Sequence, residues 1–132
     1  MADNKGNFME EYSIDVQKDK YFTFDQYQTA AGKTAVYPDS GAESLIAISY
    51  CALGLAGEAG EVFNKIKKLL RDGDSPEKRK EITKEVGDVL WYISRLLKEL
   101  GGYSMAEIAQ GNIEKLLDRR ARGVTQGSGD NR

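Results

Sequence analysis

Two long segments with apolar residues at helical spacing constrain this chain more than any other feature of its sequence. In each segment an apolar side chain recurs every three or four residues, as in amphipathic helices that pack against one another. The first series is Ile48, Ala52, Leu55, Ala59, Val62, Ile66 and Leu69, and the second is Ile82, Val86, Val89, Ile93, Leu96 and Leu100. We therefore predict a long helix from about Ala42 to Leu70 and a second that buries the latter series.

Residues that start and end helices separate these two segments. Asp72-Gly73 is typical of a helix end, and Ser75-Pro76 restarts the chain with Ser as N-cap and Pro at the first helical position. Gly101-Gly102 ends the second long helix. The two long helices are thus expected to be joined by a short turn.

Two capping boxes predict two shorter helices. Thr23 and Gln26 open a short leading helix that Gly32 could close, and a connector, KTAVYPDSG, follows it. Ser104 and Glu107 open a last helix that runs to roughly Ala121. Because strand signals are nearly absent, the fold class is predicted to be an all-α four-helix bundle.

The length of 132 residues fits one domain. We divide it into an N-terminal extension (1–20), a helical domain (21–122) and a flexible C-terminal tail (123–132). Helices in a chain of this size leave apolar faces that neighbours in the same chain do not cover. Self-association as a homodimer or homotetramer is therefore expected.

Composition excludes several kinds of site. The chain has no histidine and one cysteine, Cys51. This excludes Ser/His/Asp nucleophiles, zinc sites with His ligands, haem held by a proximal His and internal disulfides. Any chemistry must come from carboxylates, amines, hydroxyls and a hard cation.

Net charge and hydropathy limit the kinds of partner that this chain is expected to bind. The formal net charge is −2, so no global basic field exists to recruit nucleic acid or an anionic membrane. The first twenty residues lack the apolar core of a signal peptide, and the longest uncharged stretch, Ser44 to Gly57, is fourteen residues, too short to span a bilayer. We expect a cytoplasmic protein that binds neither nucleic acid nor a membrane.

Two acidic pairs are the strongest chemical signal. Glu58 and Glu61 are three residues apart on one long helix, and Glu85 and Asp88 have the same spacing on the other. Antiparallel helices would bring both pairs to a similar height, where like charges at ~4–5 Å repel by on the order of 3–4 kcal/mol per pair at an effective dielectric constant of ~20. A divalent cation would remove this repulsion, and all-oxygen ligands favour Mg²⁺ or Mn²⁺.

The alternative is that these acids are ordinary surface residues, since such pairs are common on solvated helix faces. Their position beside the apolar series argues against this, and so do the nearby glycines. Gly54, Gly57, Gly60 and Gly87 each weaken a helix by roughly 0.5–1 kcal/mol relative to alanine. Such a loss is understandable where a neighbouring helix or a ligand must approach the backbone closely.

Cationic and amide side chains follow the same geometry. Lys65 and Lys68 continue the helix face that carries Glu61, and Asn112, Lys115 and Arg119 form a polar stripe on the last helix. Donors opposite a metal-binding acidic groove are what a polyphosphate needs. Each lysine could equally be a solvent-facing side chain.

Three segments together resemble the MazG-like, all-α nucleoside triphosphate pyrophosphohydrolases. They are GLAGEAGEVFNKIKK, KEVGDVLWYISRLLKELG and NIEKLLDRRARG, and the similarity extends from about Tyr27 to Arg132. The family pattern is Glu-x-x-Glu, a gap, Glu-x-x-Asp and then Asn-x-x-Lys on the final helix. The ending GSGDNR resembles that of single-domain members, including many from phages.

The resemblance implies Mg²⁺-dependent hydrolysis of a nucleoside or deoxynucleoside triphosphate to the monophosphate and pyrophosphate. It implies that Glu58, Glu61, Glu85 and Asp88 hold the metal, and that Tyr92, Asn112 and Lys115 touch the nucleotide or its phosphates. Glu58 or Glu61 would activate the attacking water. Two alternatives stay open: hydrolysis of a regulatory guanosine polyphosphate, and a non-catalytic helical assembly module.

The C-terminal tail has a charge opposite to that of the whole chain. From Arg119 to Arg132 there are four arginines and one acid, Asp130. The tail is either a solubilising end or a lid that orders over a bound triphosphate.

Overall fold

The computed structural model describes residues 22–126 and contains four helices there. They are α1 (Phe24–Lys33), α2 (Leu45–Asp72), α3 (Pro76–Glu99) and α4 (Met105–Ala121). No strand occurs within 22–126, so the all-α prediction is confirmed. The N-terminal extension and the end of the tail lie outside the described residues, and with them the hypothesis of a lid.

Three of the four helices begin at a predicted N-cap, whereas α2 begins at Leu45 after Ser44, a few residues later than the start predicted near Ala42. The Thr23 hydroxyl accepts from the Gln26 amide while the Gln26 side chain accepts from the Thr23 amide, which completes the predicted capping box. Ser44, Ser75 and Ser104 each accept a hydrogen bond from the amide three residues later. These bonds satisfy amides that a helix N-terminus otherwise leaves exposed.

The ends of α1 and α2 differ. Gly73 follows α2 with φ of 88°, a conformation that favours glycine, as the sequence predicted. Gly32, by contrast, does not close α1, which continues to Lys33 and is capped by Thr34. A Cβ atom on Gly32 would lie 2.8 Å from Nη1 of Arg95, so this glycine makes room for a side chain of α3.

The two long helices form an antiparallel hairpin. Residues 73–75 connect them, and contacts such as Lys65 to Glu85 and Gly54 to Tyr92 lie progressively further from that turn. Helix α1 packs against both α3 and α4. The hairpin therefore brings the two acidic pairs to the same height, while α4 is attached on the side of α1.

The core of the described chain is small. Tyr37, Ala47 and Cys51 form its centre, and Trp91 and Leu96 pack against them. Part of the predicted apolar series stays exposed: Ala52, Ile66, Val86 and Leu100. The physical reason is that each long helix has one neighbour along much of its length, so only one side of its apolar face is covered.

The most deeply buried residues near the end of α3 are polar. Ser94, Arg95 and Glu99 are at most 5% exposed. Helix α1 and the connector at 34–44 cover this half of α3, and Tyr37 and the amides of Gly41 and Glu43 donate hydrogen bonds to the Glu99 carboxylate. Periodicity of apolar residues could not predict a buried ionic group that is satisfied by a loop.

By length and composition alone, α2 could cross a membrane. The central helix of a helical domain meets the same criterion, so this is weak evidence. Helix α2 also carries Glu58 and Glu61 within its apolar half, and carboxylates are costly inside a bilayer. Within residues 22–126 α2 packs chiefly against α3, and these two carboxylates argue against a membrane span.

Candidate metal centre

Three carboxylates converge on the facing sides of α2 and α3. Glu58, Glu85 and Asp88 each offer an oxygen, and these three oxygens lie within 4.8 Å of one another. Glu85 and Asp88 share a face because they are separated by three residues of helix. The antiparallel hairpin places Glu58 opposite both, and we call this group the acidic cluster.

The electrostatics of the acidic cluster are unfavourable without a cation. The pKa of Glu58 is raised above its ordinary value, chiefly by burial and then by the charges of Asp88, Glu85 and Glu61. Each of these causes disfavours the ionised form. The cluster thus retains negative charge that the protein itself compensates only in part.

Glu61 lies beside the acidic cluster and not within it. Its side chain is exposed, although its charge is close enough to contribute to the raised pKa of Glu58. The structure therefore brings together three of the four predicted metal ligands and leaves the fourth at the rim.

Lys65, a predicted substrate-binding residue, partly compensates the negative charge of the acidic cluster. Its Nζ lies 2.6 Å from Oε1 of Glu85 and 4.0 Å from Glu81. Sequence reasoning missed Glu81, although its position one turn before Glu85 was a usable signal. Lys68, one turn further along α2, is exposed, and its charge acts on Asp72 at the end of that helix.

Tyr92 lies one turn beyond Asp88 and is half-buried. Its ring lies over Gly54 and stands perpendicular to the ring of Trp91, with centroids 5.0 Å apart. Burial is the main cause that raises the pKa of Tyr92, and the charge of Glu58 adds to it. Tyr92 thus forms one wall of the groove next to the acidic cluster.

The three residues of the polar stripe predicted on α4 differ in their exposure. Asn112 and Lys115 are exposed, whereas Arg119 is only 5% exposed. Asn112 lines an apolar groove with Leu90 and Ile93. These α3 residues point away from the face that carries Asp88, so within one chain Asn112 lies on the other side of α3 from the acidic cluster.

The four glycines on the two long helices also differ. A Cβ atom at Gly54 would overlap the Tyr92 ring, so this glycine permits close approach of a neighbouring helix, as expected. At Gly57, Gly60 and Gly87 a Cβ atom would meet no other described residue within 4 Å. Close packing within one chain therefore explains Gly54 and does not explain the other three.

The donor set fits a hard divalent cation. All three converging ligands are carboxylate oxygens, and the chain has no histidine. Oxygen ligands of this kind suit Mg²⁺ and Mn²⁺ better than zinc or copper. The residues present therefore match the chemistry of a magnesium or manganese site.

Comparison with known proteins identifies relatives over most of the chain. The profile of the MazG nucleotide pyrophosphohydrolase domain matches residues 48–124, which include all four acidic positions. The Gene 37 protein of Mycobacterium phage L5 is 47% identical over 112 residues, which cover 82% of this chain and 97% of that protein. No solved structure matches.

Proposed function

We propose that this chain, which belongs to the MazG nucleotide pyrophosphohydrolase family, cleaves nucleoside or deoxynucleoside triphosphates to the monophosphate and pyrophosphate with Mg²⁺ as cofactor. Family membership supports the general class, a nucleotide pyrophosphohydrolase. The choice of a triphosphate substrate, the identity of the ion and a cytoplasmic location are our proposals.

The single observation that carries the proposal is the acidic cluster. Three carboxylates within 4.8 Å, two of them half-buried, are costly for the fold and useful for holding a cation. Bound Mg²⁺ would neutralise phosphate oxygens and polarise the phosphoanhydride. Glu58, Glu85 and Asp88 would hold the ion.

Glu61 is our candidate for the base that activates water. It stays outside the acidic cluster yet lies beside it, so its oxygens are not committed to the cation. A carboxylate in this position can orient a water molecule and accept its proton. Replacing Glu61 by Gln should lower kcat by about a hundred-fold or more, because the proton acceptor is lost. Mg²⁺ affinity should stay within about two-fold of wild type, because no cluster ligand is lost.

Lys65 is a donor that can change partners. Its ammonium group neutralises Glu85 in the structure described here. A cation bound to Glu85 would weaken that ion pair by like-charge repulsion and leave Nζ available to phosphate oxygens. Lys68 and Tyr92 are the other substrate-binding residues that we propose on the same hairpin. Asn112, Lys115 and Arg119 of α4 are proposed to contribute from a second copy of the chain, since within one chain Asn112 lies on the other side of α3.

Self-association is the second part of the proposal. Large apolar side chains remain exposed, among them Leu45, Leu53 and Leu70 on α2 and Ile113 and Leu117 on α4. Exposed apolar area of this kind marks protein–protein interfaces. A homodimer or homotetramer would cover it and could bring α4 of one copy towards the groove of another.

A substrate panel tests the proposed reaction. Deoxynucleoside and ribonucleoside triphosphates should release pyrophosphate with Mg²⁺, and the favoured base follows from their relative kcat/KM values. A guanosine polyphosphate belongs in the same panel, because preference for it would support the alternative of a regulatory hydrolase. Absence of both turnover and nucleotide binding would support the non-catalytic alternative.

Light scattering during size-exclusion chromatography tests the assembly. A dimer or tetramer is expected at micromolar concentration, and Leu53→Glu or Leu117→Glu should shift it towards smaller species. A mass of 14.6 kDa for the wild-type chain would contradict self-association.

A further inference from the structure

A second cavity lies between α1, the connector and the C-terminal half of α3. Its volume is about 490 Å³, and its lining includes Thr29, Lys33, Ser40, Arg95 and Lys98. Arg95 follows Asp88 by seven residues on α3, which corresponds to about 10 Å along the helix axis. This cavity is therefore separate from the acidic cluster, and the proposed reaction does not use it.

The lining of this cavity is cationic and rich in donors. Among residues 22–126 it contains three basic side chains and two hydroxyl groups, and none of these lining residues is a carboxylate or an aromatic residue. Two acids lie nearby. Glu99 is fully buried and its carboxylate accepts from Tyr37 and two backbone amides, while Glu43 lies 3.5 Å from Lys98 in an exposed ion pair.

Arg95 is the deepest group of the lining. It is 5% exposed, and its Nε has no hydrogen-bond partner among the described residues. Nη1 donates to the Gln28 carbonyl at 3.4 Å, a long bond, and lies where a side chain of Gly32 would begin. Glu99 and Tyr37 already interact with the Arg95 guanidinium, so its charge is compensated on that side. Its unpartnered Nε still leaves donor capacity that an anion or another acceptor can complete.

We propose that this cavity binds a small phosphate-bearing anion, such as pyrophosphate or the phosphate group of a nucleoside monophosphate, independently of the acidic cluster. Convergent lysine and arginine donors suit phosphate oxygens, and the volume accommodates a molecule larger than a single ion. Without an aromatic side chain in the lining, the phosphate is the part that is recognised. The proposal does not rest on the proposed hydrolysis, because it concerns a different group of residues.

The experiment measures anion binding to the full-length chain in EDTA. Without a divalent cation the acidic cluster repels anions, so binding there does not contribute. Inorganic phosphate, pyrophosphate and a nucleoside 5′-monophosphate are titrated separately and followed by the amide signals of Gly32, Gly41 and Gly102. Saturable shifts confined to these glycines are expected, and the three titrations show whether one phosphate, two phosphates or the nucleoside adds affinity.

Comparing a substitution inside the cavity with a matched one outside it tests whether the anion binds in this cavity. Lys98→Gln should weaken pyrophosphate binding by about five-fold or more, since it removes one charge-assisted contact. Lys80→Gln, on an exposed turn of the same helix, removes the same charge outside the cavity and should leave affinity within about two-fold of wild type. Gly32→Ala should also weaken binding, because its Cβ atom displaces the Arg95 guanidinium.

The outcomes are distinct. Equal effects of Lys98→Gln and Lys80→Gln would mean general electrostatic attraction and would overturn the proposal. Absence of glycine shifts with millimolar anion would overturn it as well. Pyrophosphate binding that survives in Asp88→Asn, a variant expected to lack turnover, would confirm that this cavity acts separately from the metal centre.

Discussion

Carboxylates in two regions of the α2–α3 hairpin meet opposite environments. Near the middle of α3, Glu58 faces Glu85 and Asp88, and burial together with like charges raises its pKa. At the end of α3, Glu99 is more deeply buried, yet its pKa is lowered by the Tyr37 hydroxyl, two backbone amides and the charge of Arg95 against the effect of burial. Burial alone therefore does not decide the charge state, because the donors around each carboxylate do.

This difference in donors distinguishes the acidic cluster, a candidate binding site, from Glu99, a carboxylate that stabilises the fold. The acidic cluster has fewer donors than acceptors, and we propose that a divalent cation compensates its charge. Glu99 has its acceptors satisfied by the connector, and it fixes the loop that leads into α2. Loss of a carboxylate should thus abolish activity in the first region and reduce stability in the second.

The largest expected effect is on activity in the acidic cluster. Asp88→Asn should lower kcat/KM by about a thousand-fold, because it replaces a proposed anionic metal ligand by a neutral amide. Glu77→Gln, an exposed acid in the first turn of the same helix, should leave kcat/KM nearly unchanged. Circular dichroism should show the same helix content in both. If Asp88→Asn keeps a tenth of wild-type activity, Asp88 does not hold the metal.

The second effect is on the free energy of unfolding. Glu99→Gln should lower it by about 2–3 kcal/mol, because a buried carboxylate that accepts three hydrogen bonds becomes an amide whose NH₂ group faces donors. The matched Glu77→Gln change should stay within about 0.5 kcal/mol. Urea unfolding measures both. Similar values for the two variants would show that Glu99 does not order the connector.

The pH dependence of stability provides a third test. Because the folded pKa of Glu99 is lowered, its contribution is complete above its unfolded value, about 4.3, and is lost as the pH falls below it. Burial and the bond to Glu99 raise the pKa of Tyr37 to about 12, so its contribution is complete below pH ~10 and is lost as the pH rises towards 12. Tyr37→Phe should remove that alkaline loss, whereas Tyr103→Phe at an exposed position should retain it. An unchanged alkaline slope in Tyr37→Phe would contradict this assignment.

The smallest effects concern two glycines of α2. Gly54→Ala should lower the free energy of unfolding by about 1 kcal/mol or more, because its Cβ atom would overlap the Tyr92 ring. Gly57→Ala has open space within the chain and should raise it by about 0.5 kcal/mol through helix propensity. Thermal melts at several protein concentrations measure both. A destabilising Gly57→Ala would show that another copy or a ligand approaches the backbone there.

The sequence predicts the helices well because their signals are local. Ser75-Pro76 and the Thr23 capping box set helix starts by hydrogen bonds within a few residues, and both lie where predicted. The acidic cluster was also predictable, because the two i, i+3 pairs lie at similar distances from the short turn and can face each other on antiparallel helices. The exclusion of Glu61 from it was not, since that depends on the rotation of α2 about its axis.

The features that the sequence did not predict depend on contacts between residues far apart in the chain. Arg95 and Glu99 continue the face of α3 that carries Asp88, but only the folded connector shows that they are buried and satisfied. The placement of Asn112 depends on α4 packing against α1, which no local pattern specifies. Sequence periodicity likewise could not distinguish apolar residues covered within one chain from Val86, which stays exposed.

Product analysis in ¹⁸O-labelled water tests the central claim most directly. With a deoxynucleoside triphosphate and Mg²⁺, the wild-type chain should release the monophosphate and pyrophosphate in equal amounts, as followed by ³¹P spectra. One labelled oxygen should appear in one of these two products, and EDTA or Glu85→Gln should stop the reaction. Release of a diphosphate and orthophosphate, or no release with either Mg²⁺ or Mn²⁺, would contradict the assignment of the acidic cluster as the metal centre of a nucleoside triphosphate pyrophosphohydrolase.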